Sequence, residues 1–240
     1  VAKAVPQEAE RRNLQYVDAI CPLVTKVHHE AERLEQNGYH VLLIGHAGHP
    51  EVVGTLGQVP DGAMTLVQHE EDAAHISVPE DKPLAYVTQT TLSIDDTQRI
   101  VQKLQQRFPS IKGPKKEDIC YATTNRQLAV KQMAGSCEAL LVLGAPNSSN
   151  TMRLVECGLE AGIKKAQRIQ THKELDLDWL KDVHTLGITA GASAPEILVQ
   201  DLINHLNQHF QVTQQEVVAA EENIEFKMPK SMANLSAARA

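Results

Sequence analysis

Two histidines and one carboxylate lie within six residues of one another, at His46, His49 and Glu51. They follow an apolar run of strand-forming residues, which predicts that they occupy a loop at the end of a strand. A histidine beside an anionic ligand can donate hydrogen bonds or charge, and a neighbouring carboxylate can carry a proton. The His-Glu-x-x-His pattern of a helical metal pair is absent, and Pro50 interrupts the segment. A solvated turn is the alternative interpretation.

The four cysteines, Cys21, Cys120, Cys137 and Cys157, lie far apart and form no Cys-x-x-Cys pair. Neither a zinc ribbon nor a thioredoxin-type motif is therefore present. Cys21 precedes Pro22, and because proline favours the first position of a helix, Cys21 is predicted at or near a helix N-cap. Free amide groups at such a position stabilise a thiolate, the form that binds metals. For Cys137 and Cys157 we predict a packing role.

An internal repeat relates Cys21 to Cys120, which lie 99 residues apart. The segments "VDAICPLVTKV" and "EDICYATTNRQ" each contain an aspartate, then a cysteine, then a threonine in a helical pattern. Each helix leads to an apolar strand, and these strands end at Gly45 and Gly144, both 24 residues after their cysteine. Matched offsets predict two copies of one α/β module. For the equivalent cysteine pair, we favour metal ligation over packing.

The repeat also predicts the elements that position these residues. Short apolar strands alternating with amphipathic helices are typical of parallel sheets that are covered on both faces and bind ligands beyond the carboxyl ends of the strands. The predicted fold class is α/β, with pseudo-symmetric repeated modules of which two of three are present. The predicted parts are a remnant of a first module (1–20), a second module (21–117), a third module (118–212) and a C-terminal tail (213–240). Predicted elements include a strand at Gln15–Asp18 and helices at Ala4–Asn13, Leu23–Gln36, Asp95–Arg107, Arg126–Met133 and Pro195–His209.

Hydroxyl and amide side chains follow several of the predicted strands. The second of the two copies carries Asn147, Ser148, Ser149 and Asn150 where the first copy carries its histidines. Hydroxyl-rich turns follow the last strand of each copy, and they contain Thr90, Thr91 and Ser193. Hydroxyls, amides and the N–H groups of helix N-termini bind phosphate or diphosphate. Helix capping is the alternative for any one turn, but several turns at one sheet edge favour an anion site.

Composition excludes several classes of protein. The net charge of −7 and the absence of a long basic run argue against nucleic-acid binding. No apolar run has the length of a membrane span, and the N-terminal residues lack the features of a signal peptide, so we expect a cytoplasmic protein. The hydrophobic content of 42% permits a sizeable core. Because the chain begins at Val1 and directly enters a helical pattern, we expect that an upstream part is missing.

Six segments together resemble one enzyme family: "DAICPLVTKVH", "LIGHAGHPEVVGTLGQ", "TQTTLS", "DICYATTNRQ", "NSSNTMRL" and "TAGASAPE". They are similar to the 4-hydroxy-3-methylbut-2-enyl diphosphate reductases, the IspH or LytB family. The similarity extends from residue 1 to about residue 230 and includes the tail segment "EENIEFKMPK".

The resemblance implies an arrangement of three α/β modules around a [4Fe-4S] cluster that takes one cysteine from each module. Cys21 and Cys120 match two of these ligands, and the third is missing from this chain. Glu51 matches the proton donor that assists loss of the substrate's C4 hydroxyl as water. The residues that match substrate-binding positions are His49, Thr90, Thr91, Ser148, Ser149, Asn150 and Ser193.

The implied reaction is a two-electron reductive dehydroxylation of an allylic diphosphate, which gives isopentenyl and dimethylallyl diphosphate at the end of the non-mevalonate isoprenoid pathway. The implied electron donor is ferredoxin or flavodoxin. Because one module and its cysteine are absent, we expect this chain alone to bind a cluster poorly and to lack activity. Two other interpretations are a phosphate-ester hydrolase and a non-catalytic binding module.

Overall fold

The computed structural model describes residues 1–226, and the rest of the predicted C-terminal tail lies outside the described residues. The chain divides into two compact units. The first unit contains residues 1–90 and 94–119 together with the described residues from Asn223 onward. The second unit contains residues 91–93 and 120–222. The four-part division predicted from the repeat stays a proposal beside this one.

The first unit contains a three-stranded parallel sheet in the order β2-β1-β3. Its strands are β1 (His40–Ile44), β2 (Met64–Val67) and β3 (Leu84–Thr88). The helices of this unit are α1 (Ala4–Arg11), α2 (Pro22–Gln36), α3 (Pro50–Leu56), α4 (Glu70–His75) and α5 (Ile94–Arg107). Every residue of β1 is buried, as expected for the central strand of a covered parallel sheet.

The second unit repeats this topology, with a parallel sheet in the order β5-β4-β6. The strands are β4 (Ala139–Leu143), β5 (Lys165–Ile169) and β6 (Leu186–Ala190). Its α-helices are α6 (Tyr121–Ala134), α7 (Ser149–Glu160) and α8 (Glu196–His209). Two 3-10 helices, η1 (His172–Glu174) and η2 (Leu177–Leu180), connect β5 to β6. The predicted α/β class with parallel sheets is confirmed.

Within each sheet, the strand register places the carboxyl ends of the three strands at the same level. Ile44, the last residue of β1, pairs with Val67 and Thr88 on its two neighbours. Leu143, the last residue of β4, pairs with Ile169 and Ala190 in the same way. The three strands of each sheet therefore end at one level, and the loops that follow them share one edge of that sheet.

Alternating residues of the central strands pack against helices. In the first unit, Val41 and Leu43 belong to a buried cluster with Val27, Ala31 and Leu34 of α2. In the second unit, alternate residues of β4 from Leu140 to Leu143 belong to different clusters. Leu140 and Val142 pack with residues of α6 and α7, whereas Leu141 and Leu143 pack with residues of α8. Burial on both faces explains why these strands are continuous apolar runs.

The prediction of a strand at Gln15–Asp18 is wrong, because the structure has no regular element there and the four residues are exposed. A strand needs a neighbour to pair its backbone groups, and none of the described strands pairs with this segment. The helices were predicted more accurately. The largest difference is at α6, which begins at Tyr121 rather than Arg126, because Cys120 already serves as its N-cap. No helix within residues 1–226 has the length and apolar character needed to cross a bilayer.

Candidate functional site

His49 caps the helix that follows the first central strand. Its Nδ1 accepts the backbone N–H of Glu51 at 3.2 Å, and Pro50 occupies the first turn of α3. Proline interrupts a helix interior but is favoured at this position, so it begins the helix here. Because Nδ1 is an acceptor, the proton of the neutral ring lies on Nε2. Burial, and to a smaller extent His46, lower the pKa of His49 and favour that neutral form.

Two glutamines hold the backbone between β1 and α3. The N–H of His46 donates to Oε1 of Gln89 at 3.0 Å, and the N–H of Ala47 donates to Oε1 of Gln68 at 2.8 Å. Gly48 has a φ of +78°, in the left-handed region that favours glycine. His46 therefore contributes to the loop through its backbone. No local sequence pattern marks either glutamine, because each is separated from its partner by 21 residues or more.

Glu51 and Thr90 are hydrogen-bonded to each other where the strands of the first sheet end. The backbone N–H of Thr90 donates to Oε1 of Glu51 at 2.8 Å, and its hydroxyl donates to Oε2 at 2.9 Å. Burial raises the pKa of Glu51 to about 7, and the charge of Asp118 acts in the same direction. The two bonds from Thr90 oppose this rise because they favour the carboxylate. A carboxyl group with such a pKa can both hold and release a proton near neutral pH.

The second unit has a hydroxyl group where the first has the histidine cap. Ser148 is the N-cap of α7, and its Oγ accepts the N–H of Thr151 at 3.3 Å and the Thr151 hydroxyl at 2.9 Å. Thr151 is completely buried. A Cβ atom on Gly144 or Gly191 would lie only 2.3 Å or 2.2 Å from its hydroxyl oxygen. The close approach of two strand ends to Thr151 therefore requires glycine at both positions.

Asn150 is buried, and its side-chain amide lacks partners among the described residues. The residue is 5% exposed, and within the described residues neither Nδ2 nor Oδ1 has a hydrogen-bond partner. An unpaired buried polar group costs about 1–3 kcal/mol and is uncommon in folded proteins. Asn150 also lies in the first turn of α7, where backbone N–H groups and the helix dipole attract anions. The arrangement is typical of a polar ligand site.

The other hydroxyl residues predicted to bind an anion, Thr91, Ser149 and Ser193, belong to the second unit. The Thr91 hydroxyl donates to Oγ of Ser149 at 3.2 Å. Gln127 of α6 is also buried and donates to the carbonyl of Leu92 at 2.8 Å, which holds the turn that contains Thr91. Ser193 lies exposed in the turn between β6 and α8. The structure thus brings Thr91, Ser149 and their neighbours together.

Cys21 and Cys120 occupy the helix N-caps that the repeat predicts. Cys21 is exposed and precedes Pro22 at the start of α2. Cys120 caps α6, and its Sγ accepts the N–H of Thr123 at 3.4 Å. Both are free thiols.

Cys137 and Cys157 are buried in the core of the second unit, as predicted. In the part of the chain that the structure describes, no three His, Cys, Asp or Glu side chains form a group that could hold a metal ion. Ligation by Cys21 and Cys120 stays a prediction.

Comparison with known proteins supplies independent information. The family model described as LytB protein matches residues 1–207. The 4-hydroxy-3-methylbut-2-enyl diphosphate reductase of Roseobacter denitrificans is 58% identical over 232 residues, which cover 96% of this chain and 73% of the relative. A relative with the same name from Cereibacter sphaeroides is 56% identical over 230 residues, which cover 96% of this chain and 72% of the relative. Among solved structures, the E-1-hydroxy-2-methyl-but-2-enyl-4-diphosphate reductase of Plasmodium falciparum has a TM-score of 0.95 at 36% identity, covering all of this chain and 75% of that chain.

Proposed function

The chain belongs to the LytB protein family, and from this membership we propose that its residues serve the reduction of (E)-4-hydroxy-3-methylbut-2-enyl diphosphate to isopentenyl and dimethylallyl diphosphate. This reaction is the terminal step of the non-mevalonate pathway, the step named for one solved relative. The observation that carries the proposal is the Glu51–Thr90 pair, because removal of a hydroxyl group as water requires a proton at its oxygen.

Proton transfer is the part of the reaction that Glu51 would perform. The net change replaces a C–O bond by a C–H bond, consumes two electrons and two protons, and releases water. With a pKa of about 7, Glu51 is about half protonated near neutral pH and can protonate the departing hydroxyl. The Thr90 hydroxyl donates to Glu51, so its oxygen can still accept a hydrogen bond from the substrate hydroxyl. In this role Thr90 orients the substrate's C4 hydroxyl toward the acid.

Diphosphate binding is the role that we propose for the polar side chains around α7 and for His49. The unpaired amide of Asn150 and the N-terminal amides of α7 offer donors to phosphate oxygens. Ser148, Ser149, Thr91 and Ser193 add hydroxyl groups of the same kind. His49 adds an N–H, because its Nδ1 is already occupied by Glu51 and its Nε2 carries the proton.

An iron-sulfur cluster is implied by the family, and two cysteines of this chain fit it. Cys21 and Cys120 are free thiols at helix N-termini, outside the buried core that contains Cys137 and Cys157. We propose that they are ligands of a [4Fe-4S] cluster, since thiolates are the usual ligands of such clusters. When bound, the cluster supplies the two electrons, and we propose ferredoxin or flavodoxin as their source. The expectation that this chain alone holds a cluster poorly stays a prediction.

Anaerobic reconstitution with iron and sulfide tests the proposal. Because this chain alone is expected to hold a cluster poorly, we expect weak iron uptake with broad visible absorption, and we expect either Cys21→Ser or Cys120→Ser to reduce it further. Cys157→Ala is the matched control, because this cysteine is buried in the core and should not affect iron content. Equal iron content in all three variants would contradict the ligand assignment. Colourless protein that hydrolyses phosphate esters would support the hydrolase alternative.

A further inference from the structure

Asp118 is a buried carboxylate that lies outside the substrate-binding residues proposed above. Its side chain is fully inaccessible to solvent. Its Oδ2 accepts the backbone N–H of Thr88 at 3.1 Å, and its Oδ1 accepts a hydrogen bond from Nζ of Lys26 at 3.1 Å. A buried charge is costly unless it is paired and hydrogen-bonded. The burial of Asp118 therefore indicates that its carboxylate has a specific structural role.

Lys26 fixes the backbone on which Asp118 is carried. Its ammonium group donates to the carbonyl oxygens of Lys116 and Glu117, at 2.9 and 3.0 Å, in addition to Asp118. All three ammonium protons thus have acceptors on consecutive residues. This attaches residues 116–118 to helix α2 and sets the position of the Asp118 carboxylate.

The Asp118 carboxylate lies at the edge of β3 that faces away from β1, where a further strand could pair. Among the strands of residues 1–226, β3 pairs only with β1. On its other side, the N–H of Tyr86 donates to the carbonyl of Lys112 at 2.9 Å through an isolated β-bridge. Two residues further, the N–H of Thr88 donates to Asp118, and two residues beyond that, the N–H of Thr90 donates to Glu51. A buried carboxylate therefore takes the place of a neighbouring strand at the point where β3 ends.

On the side that faces β1, hydrogen bonds also restrain the backbone next to Thr90. The N–H of Gln89 donates to the carbonyl of Ile44 at 2.8 Å, and its side chain accepts the N–H of His46. With Asp118 on Thr88 and β1 on Gln89, the backbone that carries Thr90 is restrained on both sides. Thr90 can then direct its N–H and its hydroxyl at the two oxygens of one carboxylate.

We propose that Asp118 is a positioning residue for the proton donor, because by accepting the N–H of Thr88 it fixes the end of β3 from which Thr90 makes both hydrogen bonds to Glu51. The inference rests on the proposed function, in which Glu51 delivers the proton. It also explains the aspartate that precedes the cysteine in the repeated segment "EDIC", which none of the proposed substrate or cluster contacts uses. The charge of Asp118 contributes as well, since it adds to burial in favouring protonated Glu51.

Two variants of Asp118 separate the effect of its hydrogen bond to Thr88 from the effect of its negative charge. Asp118→Asn retains an oxygen acceptor for Thr88 but removes the negative charge, while Lys26 keeps its two carbonyl acceptors. Asp118→Ala removes both the acceptor and the charge. Glu117→Gln is the matched control, because it removes a charge from the adjacent residue, which is exposed. Its backbone carbonyl, which accepts from Lys26, is unchanged.

The experiment uses the full chain without substrate or cluster. The titration of Glu51 is followed by NMR of labelled side-chain carboxyl carbons, with Glu51→Gln to assign the signal, and hydrogen exchange reports the Thr90 amide. We expect Asp118→Asn to lower the pKa of Glu51 and to leave Thr90 exchange nearly unchanged. Asp118→Ala should accelerate Thr90 exchange by about tenfold or more, as local opening becomes easier. Glu117→Gln should change neither.

The results that overturn the inference are equally specific. A Thr90 amide that stays protected in Asp118→Ala would show that Thr88 needs no anchor. If Asp118→Ala does not fold, Asp118→Ser decides, because its shorter side chain also loses the bond to Thr88. Unchanged exchange of the Thr90 amide in Asp118→Ser would refute the positioning role. Neither measurement depends on turnover. A fully active Glu51→Gln enzyme would refute the proton role in the proposed function and would leave the measured link between Asp118 and Glu51 intact.

Discussion

Thr90 donates both its backbone N–H and its hydroxyl to the two carboxylate oxygens of Glu51, at 2.8 and 2.9 Å, across 39 residues of sequence. These bonds favour the carboxylate, whereas burial favours the neutral acid, and burial is the stronger effect. Glu51 therefore has a pKa of about 7 instead of its ordinary value of 4.5. A residue balanced in this way is a suitable proton donor at neutral pH.

Replacing Glu51 by Gln should remove the proton while retaining the shape of the side chain. General acids contribute about 10²–10⁴-fold to rate, so we expect a loss of that order in reductase turnover when the chain is part of a longer protein that supplies the third cluster cysteine. Substrate binding, measured by calorimetry with the diphosphate, should change little. The rate of the unmodified protein should fall as pH rises through about 7, because only the protonated form donates. Full activity of Glu51→Gln would contradict the assignment.

Glu51 should also make stability depend on pH. Its folded-state pKa is raised, so its contribution to stability is fully present below pH 4.5 and is lost as pH rises through about 7. The shift corresponds to about 3 kcal/mol in the free energy of unfolding. In urea denaturation, Glu51→Gln should become more stable relative to the unmodified chain between pH 4.5 and pH 8. A constant difference across this range would show that Glu51 titrates normally.

We expect the Asn150 side chain to strengthen ligand binding and to lower the free energy of unfolding. Its buried amide has no described partner, so Asn150→Leu removes a desolvation penalty while keeping the branched shape of the side chain. We expect the free energy of unfolding to rise by about 1 kcal/mol. Binding of inorganic pyrophosphate should weaken by about tenfold or more, as expected for loss of a hydrogen bond to a charged group. A destabilised variant that binds pyrophosphate normally would refute the ligand role.

Gly191 should not tolerate a side chain. A Cβ atom there would lie 2.2 Å from the hydroxyl oxygen of the buried Thr151. We expect Gly191→Ala to lower the free energy of unfolding by about 1–3 kcal/mol, the usual cost of overpacking. Gly135→Ala is the control, because nothing lies within 4 Å of its Cβ position. Adding Thr151→Ala to Gly191→Ala should recover part of the loss, and a double variant no more stable than Gly191→Ala would contradict the contact.

The sequence alone determined the features that depend on local order. Apolar runs of four and five residues identified β1 and β4, and helical periodicity identified α2, α5 and α8. Proline after Cys21 predicted its N-cap position, and the matched offsets of Gly45 and Gly144 predicted equivalent strand ends. Such signals lie within one element or in the spacing of repeats, so they can be read without knowing which segments meet.

Only the tertiary structure decided which polar groups pair. The bonds from Thr90 to Glu51, from Thr88 to Asp118 and from Gln127 to Leu92 join residues 30 or more positions apart. No periodic pattern marks these partners, because each pair depends on register and on the path of a connecting loop. The predicted strand at Gln15–Asp18 failed for the related reason that extended backbone becomes a strand only beside a partner. The raised pKa of Glu51 likewise arises from burial, which exists only after the elements have packed.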